Sequence, residues 1–135
     1  MDITTPTPPP VDPGVLDALA SLQEPGEPDL LLELVTLFLR DTPERLQDLH
    51  ARPLDPGHAA RVAHAVKGSA GNLGAMVLQE RASLLEQAAH RGSDSDVLAS
   101  LTAALHAEYG RVERHLRAIL ADRARAHRAS QDTTL

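Results

Sequence analysis

One histidine near the middle of the chain has neighbours that suit covalent chemistry. His64 is followed by Lys67 three residues later, and glycines stand at positions 68 and 71. Imidazole is a nucleophile whose neutral form is well populated near pH 7, and it can hold a group covalently as an intermediate. Phosphoryl transfer asks a protein mainly for positioning and charge stabilisation. A lysine on the same side of a helix supplies a point charge for phosphoryl oxygens, so these residue types suit a histidine that holds a phosphoryl group.

The residues around His64 predict a helix with one buried face and one open face. At about 100° per residue, one side of the helix carries apolar side chains: Val62, Val66, Ala70 and Leu73. The other side carries Ala60, Arg61, His64, Lys67, Gly68, Gly71 and Ala75. Glycine costs about 1 kcal/mol relative to alanine inside a helix. The small residues beside the imidazole therefore predict open space, either for a phosphoryl group or for the backbone of a second protein.

Other chemistries fit these residues poorly. The order Lys-Gly-Ser inside a predicted helix is not a Walker loop, which has Gly-Lys-Ser or Gly-Lys-Thr after a strand. His58 and His64 are six residues apart, about 240° around a helix, and cannot share one metal-binding face. Ser69 lacks the Gly-x-Ser-x-Gly turn of a hydrolase. The chain has no cysteine, which excludes disulfides and thiolate metal sites.

The rest of the chain predicts an all-α fold, because leucine and alanine dominate the apolar residues and both favour helices. Helices are predicted over residues 13–22, 29–51, 58–73, 77–91 and 96–125. Short loops between them predict an antiparallel up-down four-helix bundle with a short extra N-terminal helix. The bundle domain is predicted to span 12–126, between a disordered proline-rich tail at 1–11 and a disordered polar tail at 127–135.

Charge and hydropathy limit the partners. The net charge is −6, with −8 in residues 1–60 and +2 in residues 61–135. This acidity argues against nucleic-acid binding, and the basic C-terminal stretch is interpreted as a solvated helix face. No stretch approaches the ~20 apolar residues of a membrane span, and no signal peptide is evident. We expect a monomer in the cytoplasm.

The segment around His64 resembles the hallmark of the histidine-containing phosphotransfer (HPt) domain family. That hallmark is His, any residue, Leu, Lys, Gly, Ser or Ala, then small residues and Leu-Gly. The sequence here reads His64-Ala65-Val66-Lys67-Gly68-Ser69-Ala70-Gly71-Asn72-Leu73-Gly74. The one departure is Val66, at an inward position where it changes packing and not chemistry. Residues 28–39 and 84–86 also resemble the family's second and fourth helices, so the likeness covers about residues 12–120.

The resemblance implies roles for individual residues. His64 would be phosphorylated on its solvent-facing ring nitrogen, Lys67 would steady the phosphoryl group, and Gly68 would leave space for it. Glu86 falls where some family members use glutamine to hold the other ring nitrogen, and its carboxylate could accept that hydrogen bond. The docking patch for a partner is expected to surround His64, with one contribution from the second helix: Ala60, Arg61, Gly71, Ala75 and Phe38.

The resemblance also implies a phosphorelay function. The protein would accept a phosphoryl group from a receiver-domain aspartate and pass it to another receiver, with response-regulator receivers and/or a hybrid histidine kinase as partners. No cofactor and no kinase activity of its own are expected, because the family leaves Mg²⁺ to the receiver. The alternative is an HPt-like interaction module that binds receivers without carrying phosphate, although both His64 and Lys67 are present. A chain that begins with Met1 and ends in tails favours a free-standing module.

Overall fold

Four of the five helices begin where an aspartate accepts hydrogen bonds from free N–H groups of the first turn, and in the last helix this residue is Asp94, which accepts from the N–H of Val97. The structure is a computed structural model that describes residues 8–50 and 54–132. Its helices are α1 (Pro13–Ser21), α2 (Leu30–Gln47), α3 (Pro56–Leu73), α4 (Met76–His90) and α5 (Ser95–Asp132), with a 3₁₀ turn at Asp48–His50 after α2. The carboxylates of Asp12, Asp29 and Asp55 accept backbone hydrogen bonds at the starts of α1, α2 and α3.

Contacts between the long helices show that neighbours run antiparallel. Lys67 of α3 contacts Glu86 of α4, and further along α3 Gly71 lies against Gln79, so the residue numbers rise along α3 as they fall along α4. In the same way Asp29 of α2 pairs with Arg123 of α5, and Phe38 packs against Tyr109 with the two rings tilted by 40°. The predicted four-helix bundle with an extra N-terminal helix is thereby confirmed. The described residues contain no strand, and none of their helices has both the length and the apolar content of a membrane span.

The core is aliphatic, as the composition predicts. The large side chains that are fully buried include Leu46, Leu78, Leu85, Leu105 and Leu116. The predicted inward face of α3 is buried along its whole length. Burial of this stripe fixes the rotation of α3, and it therefore leaves His64 on the outside.

The reversal from α3 into α4 depends on Gly74. This residue has φ of +76°, a left-handed conformation that glycine adopts without a steric penalty. A Cβ at this position would lie 2.8 Å from Val15 of α1. The turn brings α4 directly back along α3, and it sets which residues of the two helices face each other.

The structure differs from the predicted disordered tails at residues 8–11 and at residues 127–132. Val11 is fully buried, the backbone N–H of Asp12 donates to the Gly74 carbonyl, and Arg111 donates to the Pro8 carbonyl at 2.9 Å. Residues 8–11 therefore pack on the bundle. At the other end α5 continues to Asp132, because alanine and arginine are strong helix formers. Residues 1–7 and 133–135 of the predicted tails lie outside the described residues.

Candidate functional site

His64 lies on the outer face of α3 with its imidazole open to solvent. Its side chain is 71% exposed. One turn further along, nothing lies within 4 Å of the position that a Cβ on Gly68 would occupy. The structure therefore has the open space that the sequence predicts beside the imidazole.

The Glu86 carboxylate of α4 contacts two side chains of the motif on α3, His64 and Lys67. One oxygen, Oε2, lies 2.8 Å from Nδ1 of His64, and the other, Oε1, accepts a hydrogen bond from Nζ of Lys67 at 2.6 Å. The Glu86 side chain is only 14% exposed, so these contacts lie at the base of the imidazole. The structure thus places Glu86 where the family resemblance expects it. Its bond to Lys67 was not predicted.

The ionisation of Glu86 determines which ring nitrogen of His64 is free. The hydrogen bond from Lys67 holds the pKa of Glu86 below its ordinary value of 4.5, although partial burial acts in the opposite direction. An ionised carboxylate can only accept hydrogen bonds, so Nδ1 must carry the proton of the neutral ring. The lone pair of Nε2 is then available for attack. The contact with Glu86 therefore selects the tautomer that a nucleophilic Nε2 requires.

A shallow groove lies beside His64 between α3 and α4. We call it the α3/α4 groove; it is lined by Gly57, Ala60, Arg61, His64, Glu86 and His90. Arg61 and His90 are exposed on its walls, and Ala60 forms part of its floor with 6% of its surface exposed. Of the predicted docking residues, only Arg61 is a prominent exposed side chain here.

Several predicted docking residues have little exposed surface, so each of them offers a partner only a small contact area. Ala75 is fully buried, Ala60 is nearly so, and Phe38 is 5% exposed where it packs against Tyr109. Gly71 is half-buried, and a Cβ there would lie 2.5 Å from the Gln79 amide nitrogen of α4. The reason is that α4 covers the side of α3 that carries these small residues. Gly71 thus leaves room for the side chain of Gln79.

A second groove lies on the other side of α3, against α2. We call it the α2/α3 groove; it is lined by Leu34, Leu37, Phe38, Asp41, Arg45, Ser69, Asn72 and Leu73. Leu37 stands on its edge with 44% of its surface exposed. The sequence analysis missed this residue. Its signal is that a large apolar side chain falls outside the buried stripe of α2, which includes Val35 and Phe38.

The described residues bring together no group of three or more His, Cys, Asp or Glu side chains that could hold a metal ion. Whether the protein works without a bound cofactor stays a prediction. Arg61, Lys67 and His90 are the groups near His64 that could bind an anion, since each can present N–H donors.

The site consists of an exposed histidine on the third helix of an antiparallel bundle, with a carboxylate that contacts its Nδ1. This arrangement is typical of helical phosphotransfer domains. The family model of the Hpt domain matches residues 33–115. The chain therefore belongs to the Hpt (histidine-containing phosphotransfer) domain family, which confirms the resemblance seen in the sequence.

Two solved structures are similar to this chain. Histidine-containing phosphotransfer protein B (HptB) from Pseudomonas aeruginosa is 28% identical with a TM-score of 0.71, and the match covers 82% of this chain and 94% of that one. A putative histidine-containing phosphotransfer protein from rice is 20% identical with a TM-score of 0.73, covering 87% and 86%. The rice protein supports the fold alone. No curated protein matches the sequence significantly.

Proposed function

We propose that this protein carries a phosphoryl group on Nε2 of His64 and exchanges it with receiver-domain aspartates in a two-component phosphorelay. The observation that carries the proposal is the pairing of Nδ1 with an ionised carboxylate at 2.8 Å, while the imidazole remains open to solvent. Membership of the Hpt family supports the same function. Response regulators and/or a hybrid histidine kinase would supply the receivers.

In the accepting step, the Nε2 lone pair attacks the phosphorus of an aspartyl phosphate. The N–P bond forms as the P–O bond to the aspartyl carboxyl breaks, and the carboxylate leaves with the electron pair. The ring gains one positive charge and keeps its proton on Nδ1. This N–H continues to donate a hydrogen bond to Glu86. Because no proton has to leave, the same step runs in reverse toward a second receiver.

Lys67 has a part in this scheme in addition to its contact with Glu86. Its ammonium has three N–H donors, and one of them serves the carboxylate. The side chain is 33% exposed, so its other donors can turn toward phosphoryl oxygens. We assign the Mg²⁺ of the reaction to the receiver, expect no kinase activity from this chain, and place it as a monomer in the cytoplasm.

The test is to incubate the protein with a receiver domain that carries labelled aspartyl phosphate. We expect the label to move to this protein in a linkage that is labile in acid and stable in base, as a phosphoramidate is. Stable binding of the receiver without any movement of label would contradict the proposal. That result would instead support the interaction module that carries no phosphate.

Gly68 provides the first prediction. The Gly68→Gln variant should slow phosphoryl transfer because its side chain fills the open space one turn from His64. It should also raise the free energy of unfolding by several tenths of a kcal/mol, since glycine is a poor residue inside an exposed helix. A time course of phosphoryl transfer measures the rate, and denaturant titrations measure the free energy of unfolding. Transfer at the wild-type rate in a folded Gly68→Gln protein would show that the space is not needed.

The receiver must bring its aspartate to His64, so its docking surface must surround that side chain. Because α4 covers one side of the motif, we propose that the receiver docks on the other side, over Gly68 and the α2/α3 groove. The exposed Leu37 would provide an apolar contact. A transient interface of this kind lies at or below the low end of stable ones, about 1,200 Å² in total.

Leu37 therefore provides the second prediction. The Leu37→Glu variant should weaken receiver binding about tenfold, because a charge would enter a desolvated contact. The matched control is Leu84→Glu. Leu84 is similarly exposed, at 38%, and lies two residues from Glu86 and so about 200° around α4 from it. Isothermal titration with one receiver measures both. Equal losses for the two variants, or none for Leu37→Glu, would contradict docking at this groove.

A further inference from the structure

Two histidine rings join the end of α2 to the middle of α5. His50 is the last residue of the 3₁₀ turn that follows α2, and His106 lies on α5. Their ring centroids are 4.6 Å apart, and the ring planes are tilted by 33°. His50 is exposed and His106 is half-buried, so His106 is the less accessible ring of the pair. The two imidazoles hold the turn against α5.

The surroundings of His106 favour its neutral form. One ring nitrogen makes a hydrogen bond with the backbone carbonyl of Leu46, in the last turn of α2. The other nitrogen, Nε2, is buried and has no hydrogen-bond partner among the described residues. Because a carbonyl can only accept, Nδ1 carries the proton of the neutral ring and Nε2 keeps its lone pair. A second proton, on Nε2, would create a buried N–H without an acceptor, which is unfavourable.

The charged groups of the 3₁₀ turn do not offset a proton on His106. His50 faces it, and two imidazolium rings at this separation would repel each other. Asp48 of the same turn lies 4.0 Å from Nε2 of His58 at the start of α3, and an exposed ion pair of this length contributes little. Within residues 8–50 and 54–132, no acidic side chain forms an ion pair with His50 or His106.

The helices that surround His106 do not offset its charge either. From α2 the group that bonds the ring is the uncharged Leu46 carbonyl. On α5 the nearest acidic residue in sequence is Glu108, which lies about 200° around the helix and is paired with Arg111. Burial and the neighbouring His50 together hold the pKa of His106 below its ordinary value of 6.5.

We propose that the contact between His50 and His106 is sensitive to acid: it is closed while both rings are neutral, and it opens below about pH 6, when both imidazoles take up protons. Opening releases the 3₁₀ turn from α5. The connection from α2 to α3, the helix that carries His64, thereby becomes dependent on pH. This inference does not depend on the proposed function.

The size of the effect follows from the number of protons that each form can bind. The closed contact accepts one proton, on the exposed His50 ring, whereas the open contact accepts two. An unperturbed imidazole is about nine-tenths protonated one pH unit below 6.5, so the extra proton favours the open contact about tenfold at pH 5.5. The sign is fixed, because the form that binds more protons gains population as the pH falls.

The test follows amide hydrogen exchange of residues 46–50 by NMR in the full chain at pH 7.5 and 5.5. Protection factors are compared, so that the intrinsic pH dependence of exchange cancels. His106→Gln removes the titrating ring and keeps an N–H donor for the Leu46 carbonyl. His115→Gln is the matched control, because His115 is also half-buried on α5 and has no ring contact among the described residues.

We expect the protection of residues 46–50 to fall about tenfold between pH 7.5 and 5.5 in the wild type and in His115→Gln. In His106→Gln it should change by less than about twofold. Protection that is independent of pH in the wild type, or an equal loss in His106→Gln, would overturn this inference. Titration of the wild-type imidazoles by NMR is a second measurement that needs no variant to fold. A His106 ring that titrates at or above 6.5 would also overturn the inference.

Discussion

Replacing His64 with glutamine is expected to abolish phosphoryl uptake and to leave the helical bundle intact. The amide of glutamine has no nucleophilic nitrogen lone pair, so no covalent intermediate can form. The folded state should tolerate the change because the His64 side chain is 71% exposed and contributes nothing to the buried stripe of α3. Label transfer from a phosphorylated receiver and far-UV circular dichroism measure the two parts of this prediction.

The matched control is His115→Gln on α5. His115 is half-buried and lines neither groove, so its replacement should leave uptake unchanged. The His64→Gln protein should also still bind the receiver, since the docking surface remains. Label retained by a folded His64→Gln protein would mean that another residue accepts the phosphoryl group, and the assignment of His64 would then be wrong.

Replacing Glu86 with alanine should have the next largest effect. Nδ1 of His64 would lose the acceptor 2.8 Å away that fixes its tautomer and orientation. Loss of the group that orients a metal-binding histidine typically costs about 10- to 100-fold in affinity or activity, and we expect uptake here to slow by a similar factor. Glu86→Gln should lose less, because its amide oxygen can still accept from Nδ1 although it cannot balance the positive ring.

Imidazole ¹⁵N NMR provides a readout for Glu86 that does not depend on transfer. In the wild type the neutral ring should carry its proton on Nδ1, and in Glu86→Ala the two tautomers should mix. Lys67→Ala separates the orienting role from the ion pair, since it removes the other partner of the same carboxylate. A wild-type rate and an unchanged tautomer in Glu86→Ala would show that this carboxylate does not orient His64.

The stability that Glu86 contributes should depend on pH in one direction. Its pKa in the folded protein is lowered by Lys67, so the contribution is fully present above the unfolded value of 4.5 and is lost as pH falls through the folded value. The difference in unfolding free energy between wild type and Glu86→Gln should therefore stay level from pH 5 to 8 and shrink in more acidic solution. Denaturant titrations across this range measure it.

Much of the fold could be predicted from the sequence because its signals are local. Asp12 before Pro13 marks the start of α1, and this cap is present. The same pair at Asp55 and Pro56 begins α3 two residues before the predicted start at residue 58. The helical period of Val62, Val66, Ala70 and Leu73 predicts a buried stripe, and all four are buried. Once that stripe is inward, His64 has to lie on the opposite face.

The tertiary structure decided which residues near His64 remain accessible. A helical period shows which side chains share a face, but it does not show which neighbouring helix covers that face. Ala60 and Ala75 share the predicted outward side with His64, and they are buried because the Gly74 turn returns α4 along that side. Phe38 was expected at a docking surface, and it is buried because α5 brings Tyr109 against it.

The charge arrangement of the site also depends on the packing of α3 against α4. Lys67 and Glu86 are 19 residues apart, and only the antiparallel register makes one carboxylate serve both Lys67 and His64. The same register places His90 in one groove with Arg61. The sequence by itself predicted His64 as the phosphosite that we propose and indicated its exposed face, since both predictions follow from residue type and helical period. The tertiary structure decided which charged side chains of α4 lie near His64. Those side chains are on a different helix, and the register of that helix is set by a turn and by core packing.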